Sequence, residues 1–176
     1  MRTEQLRQEF DLELRWTVFP LHPETPEQGQ SLEQLFAGRI NVSSVLARLK
    51  QVAESLGLPF SARTHTYNSR RAQELGKWAE LQGRGDAFRA AVYRAYFVDG
   101  RNIAKPAELT SIVAALGLSV TEARQVLNEQ TFASAVDADW QRSRNLGVSS
   151  VPTHHYEGRV LVGFQEYAAF RRLISV

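Results

Sequence analysis

The stretch GVSSVPT, at residues 147–153, leads directly into two short runs of strand-forming residues. The runs 153–156 (THHY) and 159–162 (RVLV) are separated by Glu-Gly, and this spacing is typical of a β-hairpin. A glycine ends the second run, and residues 166–174 then carry apolar side chains at the spacing of a helix. The sequence therefore predicts a turn, a hairpin and a closing helix at the C-terminal end.

The N-terminal end combines a helical pattern with an alternating one. Thr3, Leu6 and Phe10 lie at helical spacing, with no capping residue and turn before them. Residues 12–19 then alternate apolar and polar side chains, which indicates a β-strand. A loop rich in proline follows at 20–29. We therefore expect the tail of a helix, then a strand, then a loop.

The middle of the chain changes to the period of a helix. Residues 42–56 place apolar side chains on one face and are followed by a glycine and a proline, which stop a helix. Strands at both ends with helices between them predict an α/β domain of residues 1–40 and 148–176, interrupted by an α-helical insertion at 41–147. Further helical segments with a cap or a stop signal are expected at 69–83, 86–98, 106–116, 119–130 and 131–147.

Composition restricts the chemistry more than the class of fold. The 176 residues carry a net charge of +2 and contain no cysteine, which excludes disulfides, thiolate nucleophiles and Cys-ligated metals within them. No apolar run approaches the roughly 20 residues that span a bilayer, and the first residues hold no apolar core of a signal peptide. A cytoplasmic protein with no membrane partner and no nucleic-acid partner is therefore expected, since no block of like charges is present either.

Three stretches, taken in order, resemble one family. Residues 16–26 (WTVFPLHPETP), 67–72 (YNSRRA) and 147–153 (GVSSVPT) are similar to the second strand and loop, the helical insertion and the proline turn of FrnE-type DsbA proteins. The similarity covers nearly the whole chain, and it implies a thioredoxin-like fold with thiol–disulfide oxidoreductase activity. The kappa-class glutathione transferases and the 2-hydroxychromene-2-carboxylate isomerases share the same plan.

The family differs from this chain ahead of residue 1. Its members place a first strand and a Cys-x-x-Cys motif at the start of the first helix, where the helix N-terminus lowers the thiol pKa. The resemblance therefore implies a thioredoxin-like fold that is N-terminally incomplete, in a chain that is either truncated at its active site or inactive in redox chemistry. The strand at 12–19 then lacks its usual neighbour. Three explanations are open: a longer native chain, pairing with a second copy, or a rearranged sheet.

Val151 and Pro152 are the residues that the resemblance implicates in substrate binding. The peptide bond before the family's proline is cis, and the residue before it, Val151 here, offers its backbone to an extended peptide or to glutathione. A plain turn is the alternative for Pro152. Asn68 is the third candidate, as a residue that lines the groove, although its position also suits the N-cap of a helix.

No catalytic residue and no metal ligand stand out. His154 and His155 are neighbours in a predicted strand, so they point to opposite faces and cannot easily share one ion. Three functions stay open: an oxidoreductase whose thiols lie outside these residues, a non-catalytic module, and a glutathione-dependent isomerase or transferase. The expected partner is a peptide or protein disulfide, or glutathione. No cofactor is required beyond glutathione as a candidate ligand, and a homodimer is the candidate assembly.

Overall fold

A computed structural model describes residues 2–175. Its elements in chain order are α1 (Arg2–Phe10), β1 (Gln30–Ser31), α2 (Leu32–Phe36), α3 (Val42–Ser55), β2 (His65–Thr66), α4 (Arg70–Leu81), α5 (Gly85–Phe97), α6 (Pro106–Ala115), α7 (Val120–Glu129), α8 (Ala133–Asn145), β3 (Thr153–Tyr156), β4 (Arg159–Val162) and α9 (Tyr167–Ile174). Helices dominate, as the sequence pattern predicts. Among the described residues, no helix is both long and apolar enough to cross a bilayer.

The strands form two separate antiparallel pairs. β3 pairs with β4, with Thr153 opposite Val162, which confirms the predicted hairpin at its predicted bounds. The turn residues Glu157 and Gly158 have φ angles of 45° and 81°, and two left-handed residues suit a two-residue hairpin turn. The second pair, β1 with β2, places Gln30 opposite Thr66 and Ser31 opposite His65.

The chain divides into two compact units. The hairpin unit comprises Met1–Leu21 and Asp137–Val176, and the helical unit comprises His22–Val136. Each unit has a hydrophobic core of its own, and the two cores differ greatly in size. The bounds predicted from the sequence for a thioredoxin-like domain and its helical insertion stay a prediction.

The core of the helical unit forms where α4, α5, α6 and α7 pack together. The amphipathic faces of these helices supply it, because residues three and four apart turn the same side inward. Leu75, Phe88, Leu109 and Val113 lie at its centre, where they are shielded from solvent. This core gives the surrounding loops a rigid support.

The core of the hairpin unit is smaller. Leu6 of α1 packs with Phe170 and Ile174 of α9, and the partly buried Tyr156 and Leu161 of the hairpin lie against them. Because successive strand residues point to opposite faces, packing one face of the hairpin leaves the other face to solvent. The hairpin therefore has an inner and an outer face.

The strand predicted at residues 12–19 is wrong. Residues 12–20 form no strand in the described chain, so a sheet rearranged to include them is excluded there. A strand needs a neighbour for its N–H and C=O groups. Here the N–H of Val18 instead donates to Oδ2 of the buried Asp139 at 3.0 Å. Trp16 in this segment is 38% exposed, whereas Trp78 of α4 is buried.

Candidate functional site

Val151 and Pro152 lie in an exposed turn just before β3. The peptide bond between them is cis, and Val151 is 49% exposed. Within residues 2–175, the backbone N–H and C=O of Val151 make no hydrogen bond. An exposed residue with both backbone groups open can pair with an extended chain.

The turn is held on both sides of Val151. After β4, the N–H of Gly163 donates to the C=O of Pro152 at 2.8 Å. The hydroxyl of Thr153 donates to the C=O of Ser150 at 2.7 Å. Gly163 has a φ of 78°, which a residue with a Cβ rarely adopts, so this closure depends on glycine. The residues on both sides of Val151 are therefore held in place by hydrogen bonds.

The outer edge of β3 continues from this turn. The bond from Gly163 to Pro152 makes those two residues a hydrogen-bonded pair of the antiparallel ladder. Bonded and non-bonded pairs alternate, so Thr153 and His155 occupy non-bonded positions, and their N–H and C=O groups point away from β4. β3 pairs with β4 alone among the described strands. An edge of open backbone groups thus follows directly after Val151.

The outer face of the hairpin is apolar. Val160 and Val162 of β4 are about half exposed, and so is Phe164 just beyond the strand. The guanidinium of Arg2 lies 4.3 Å from the centre of the Phe164 ring and covers one side of it. If an extended peptide bound at the β3 edge, every second side chain of that peptide would lie on the same side as this apolar outer face.

His154 belongs to the inner face. Its ring packs edge to face against Phe170, with the ring centres 4.8 Å apart. Burial lowers the pKa of His154, because desolvation disfavours the charged imidazolium. His154 is therefore a neutral packing residue at pH 7, and His155 beside it is exposed. No group of three or more His, Asp or Glu residues that could hold a metal occurs within residues 2–175.

Asn68 lies in the helical unit, whereas Val151 and Pro152 lie in the hairpin unit. The side-chain amide of Asn68 donates to the C=O of Pro23 at 3.0 Å and to the C=O of Thr25 at 2.9 Å. Its Oδ1 accepts from the N–H of Arg70 at 2.8 Å, at the start of α4. Asn68 thus ties a loop to a helix. Its side-chain donors are used inside the protein and its role toward a ligand stays a prediction.

Sequence reasoning missed the outer edge of β3. The sequence pattern predicts a strand that contains Thr153 and His155, but it does not indicate that their backbone groups are open. The signal that could have found them is the loop length, because a two-residue hairpin loop fixes which positions of a strand are hydrogen-bonded. Residues 157 and 158 set that register here.

Comparison with protein families decides the class. Residues 1–175 match the family described as the DSBA-like thioredoxin domain. The chain belongs to this family. Membership confirms the α/β, thioredoxin-like class of fold that the sequence predicts. No curated protein matches the chain.

Solved structures of other proteins are similar to this DSBA-like chain. A probable DsbA oxidoreductase from Streptomyces coelicolor gives a TM-score of 0.84 at 23% identity, over 97% of this chain and 79% of the other. A 2-hydroxychromene-2-carboxylate isomerase gives 0.71 at 17% identity, over 98% and 83% of the two chains. These two likenesses show the fold alone. The cytosolic disulfide reductase DsbM from Pseudomonas aeruginosa, in a structure with GSH, gives 0.51 at 30% identity, over 70% and 65%.

Proposed function

We propose that this DSBA-like chain binds an extended peptide segment at Val151 and does not carry out thiol–disulfide exchange with its own residues. The observation that carries the proposal is the exposed backbone of Val151, which has no hydrogen-bond partner among the described residues. A bound peptide gains main-chain hydrogen bonds there, in the way that a strand adds to the edge of a sheet.

The absence of cysteine limits the chemistry of these residues. Thiol–disulfide exchange needs a thiolate that attacks a disulfide sulfur. None of the 176 residues supplies one. An oxidoreductase activity of the DsbA type would therefore need a thiol from outside these residues, and the part proposed here is recognition of the substrate backbone.

Glutathione is the second candidate ligand. It is a short peptide with its own backbone donors and acceptors, so the same open groups of Val151 suit it. The likeness to DsbM, whose structure includes GSH, favours this candidate. The alternative of a glutathione-dependent isomerase or transferase rests on a likeness of fold alone and has no residue in its support.

Titration by nuclear magnetic resonance tests the proposal. The probes are reduced glutathione and an unstructured ten-residue peptide with one S-methylated cysteine, each added to the 15N-labelled 176-residue chain. We expect the amide resonances of Val151 and Thr153 to shift in a saturable way. Pro152→Ala should weaken binding at least tenfold, since the residue after Val151 fixes how its backbone is presented. Pro59→Ala, in an exposed loop of the helical unit, is the matched control and should leave binding unchanged.

Two results would contradict the proposal. The first is no resonance shift at 10 mM of either probe, and the second is equal binding by the native chain and by Pro152→Ala. Reduction of insulin by the 176-residue chain, at the rate of a cysteine-containing DsbA protein, would contradict the claim that these residues have no exchange activity.

A homodimer and a cytoplasmic location are also retained as predictions. A second copy could pair along the outer edge of β3, which would compete with the proposed peptide. Light scattering after size-exclusion chromatography at several protein concentrations measures the assembly. A mass of one chain at every concentration would remove the homodimer.

A further inference from the structure

The helical unit contains a small polar cavity that the proposed function does not use. It has a volume of about 200 Å³ and opens between the segment 61–67 and the end of α5. Since a water molecule occupies roughly 30 Å³, the cavity has room for about six waters or one small metabolite. Its lining includes Ser61, Arg63, Thr64, His65, Tyr67, Tyr96 and Asp99.

Arg63 is held in the cavity wall from one side. Its Nη1 donates to the C=O of His65 at 3.3 Å and to the hydroxyl of Tyr96. Its guanidinium carbon lies 4.6 Å from the centre of the Tyr96 ring and 5.3 Å from that of Phe97. The Tyr96 hydroxyl in turn donates to Oγ1 of Thr66 at 3.0 Å, so the Nη1 side of the guanidinium is anchored.

The Nε and Nη2 edge of the same guanidinium has no partner among the described residues. Within the described residues, Nη2 of Arg63 makes no hydrogen bond, and Nε is buried without a partner. Nε–H and Nη2–H lie side by side on one edge of an arginine and fit the two oxygens of a carboxylate. A buried N–H without a partner is costly, and a small turn of the side chain toward a bound anion would satisfy it.

Asp99 supplies the opposite charge. It is exposed at the same cavity, and its carboxylate makes no hydrogen bond or ion pair with any residue that the structure describes. A simple anion would be attracted by Arg63 and repelled by Asp99. A molecule with both charges would be attracted by each of them.

We propose that this cavity binds a free α-amino acid, with its carboxylate on the Nε and Nη2 edge of Arg63 and its ammonium group toward Asp99. The volume of about 200 Å³ suits a small amino acid. The rings of His65 and Tyr67, stacked with centres 6.4 Å apart, form an apolar wall for a short side chain. This site is independent of the peptide site at Val151.

The test compares three small probes on the full 176-residue chain. L-Alanine carries both charges, propionate lacks the ammonium group and ethylammonium lacks the carboxylate. We expect L-alanine to shift the amide resonances of Thr64 and Gly100 with a millimolar dissociation constant, and the two singly charged probes to bind at least tenfold more weakly. No shift at 100 mM L-alanine, or propionate binding as tightly as L-alanine, would overturn the proposal.

Two variants locate the charges. Asp99→Asn changes an exposed side chain and should fold normally; we expect it to weaken L-alanine at least fivefold and to strengthen propionate. Arg63→Lys keeps the positive charge but removes the paired Nε–H and Nη2–H donors, and should weaken both ligands at least tenfold. Arg39→Gln, at an exposed site, is the control. If Asp99→Asn leaves the ratio of L-alanine to propionate affinity unchanged, Asp99 has no part in binding and the zwitterion assignment fails.

Discussion

Two helices of the helical unit have the same kind of sequence and opposite environments. α3 and α4 contain 14 and 12 residues, and both place apolar side chains on one face. In α4 that face is core, and Leu75 is 0% exposed. In α3 none of the described residues is buried, and Leu49, on its apolar face, is 46% exposed. Periodicity therefore predicts a helix and its face, but not whether anything covers that face.

Their ion pairs differ in the same way. Each helix has one at i,i+4 spacing: Arg70 with Glu74 in α4, at 2.7 Å, and Lys50 with Glu54 in α3, at 3.8 Å. The side chain of Glu74 is 3% exposed, whereas that of Glu54 is 62% exposed. Solvent screens the second pair more than the first, so two ion pairs with the same spacing in the sequence have different energies.

Leu75→Ala should have the largest effect. It leaves a cavity at the centre of the core, and we expect the free energy of unfolding to fall by about 3 kcal/mol. Urea denaturation followed by circular dichroism measures the change, with the fluorescence of the buried Trp78 as a second probe of the same unit. A loss below about 1 kcal/mol would mean that α4 is not packed in solution as described.

Glu74→Gln should come next. The substitution removes the charge of a buried carboxylate that Arg70 contacts at 2.7 Å, and we expect a loss of about 2 kcal/mol. The matched control is Glu54→Gln in α3, for which about 0.3 kcal/mol is expected because the pair is exposed. Equal losses for the two variants, measured by the same denaturation, would contradict the contrast between the two ion pairs.

Loss of the helix cap is expected to affect α3 more than α4, which is the opposite of the two preceding predictions. The substitution in α3 is Asn41→Ala. The side chain of Asn41 caps α3 by accepting from the N–H of Ser44, whereas Ser69 makes no such bond at the start of α4. Loss of the cap should cost α3 about 1 kcal/mol, seen as faster hydrogen exchange of its amides. Ser69→Ala should leave exchange in α4 nearly unchanged, and a larger effect there than in α3 would show that the caps are assigned wrongly.

Leu49→Ala should have the smallest effect. It removes the same atoms as Leu75→Ala, but from an exposed side chain, so the expected loss is within about 0.5 kcal/mol. A loss above about 1.5 kcal/mol that grows with protein concentration would show that the face of α3 is covered in solution by a second copy.

Local signals allowed much of the fold to be predicted. Pro106 at the start of α6 and Ser119, whose hydroxyl caps α7, act within a few residues of themselves. The hairpin follows equally from its turn. The helix α2 was missed, although Ser31 and Gln34 form a capping box that the sequence displays. These elements need no information from distant parts of the chain.

Long-range partners account for what could not be predicted. The alternation at 12–19 predicts a strand that is not there, because alternation gives no information on whether a neighbouring strand is present. The position of Val151 and Pro152 followed from the resemblance, but the open backbone edge beside them depends on the register with β4. Arg63 and Tyr96 are 33 residues apart, and no spacing rule relates them.

The open backbone groups on the outer edge of β3 affect both the proposed peptide binding and the solubility of the protein. Open backbone groups attract any extended chain, including that of a neighbouring molecule, and sheets usually guard such an edge with charge, proline or a covering element. Pro152 does not guard this edge, because it is hydrogen-bonded to Gly163 and its backbone nitrogen faces β4. Neither Thr153 nor His155 adds a lysine or a carboxylate. A change that makes this edge bind peptides more tightly should therefore also lower the concentration at which the protein aggregates.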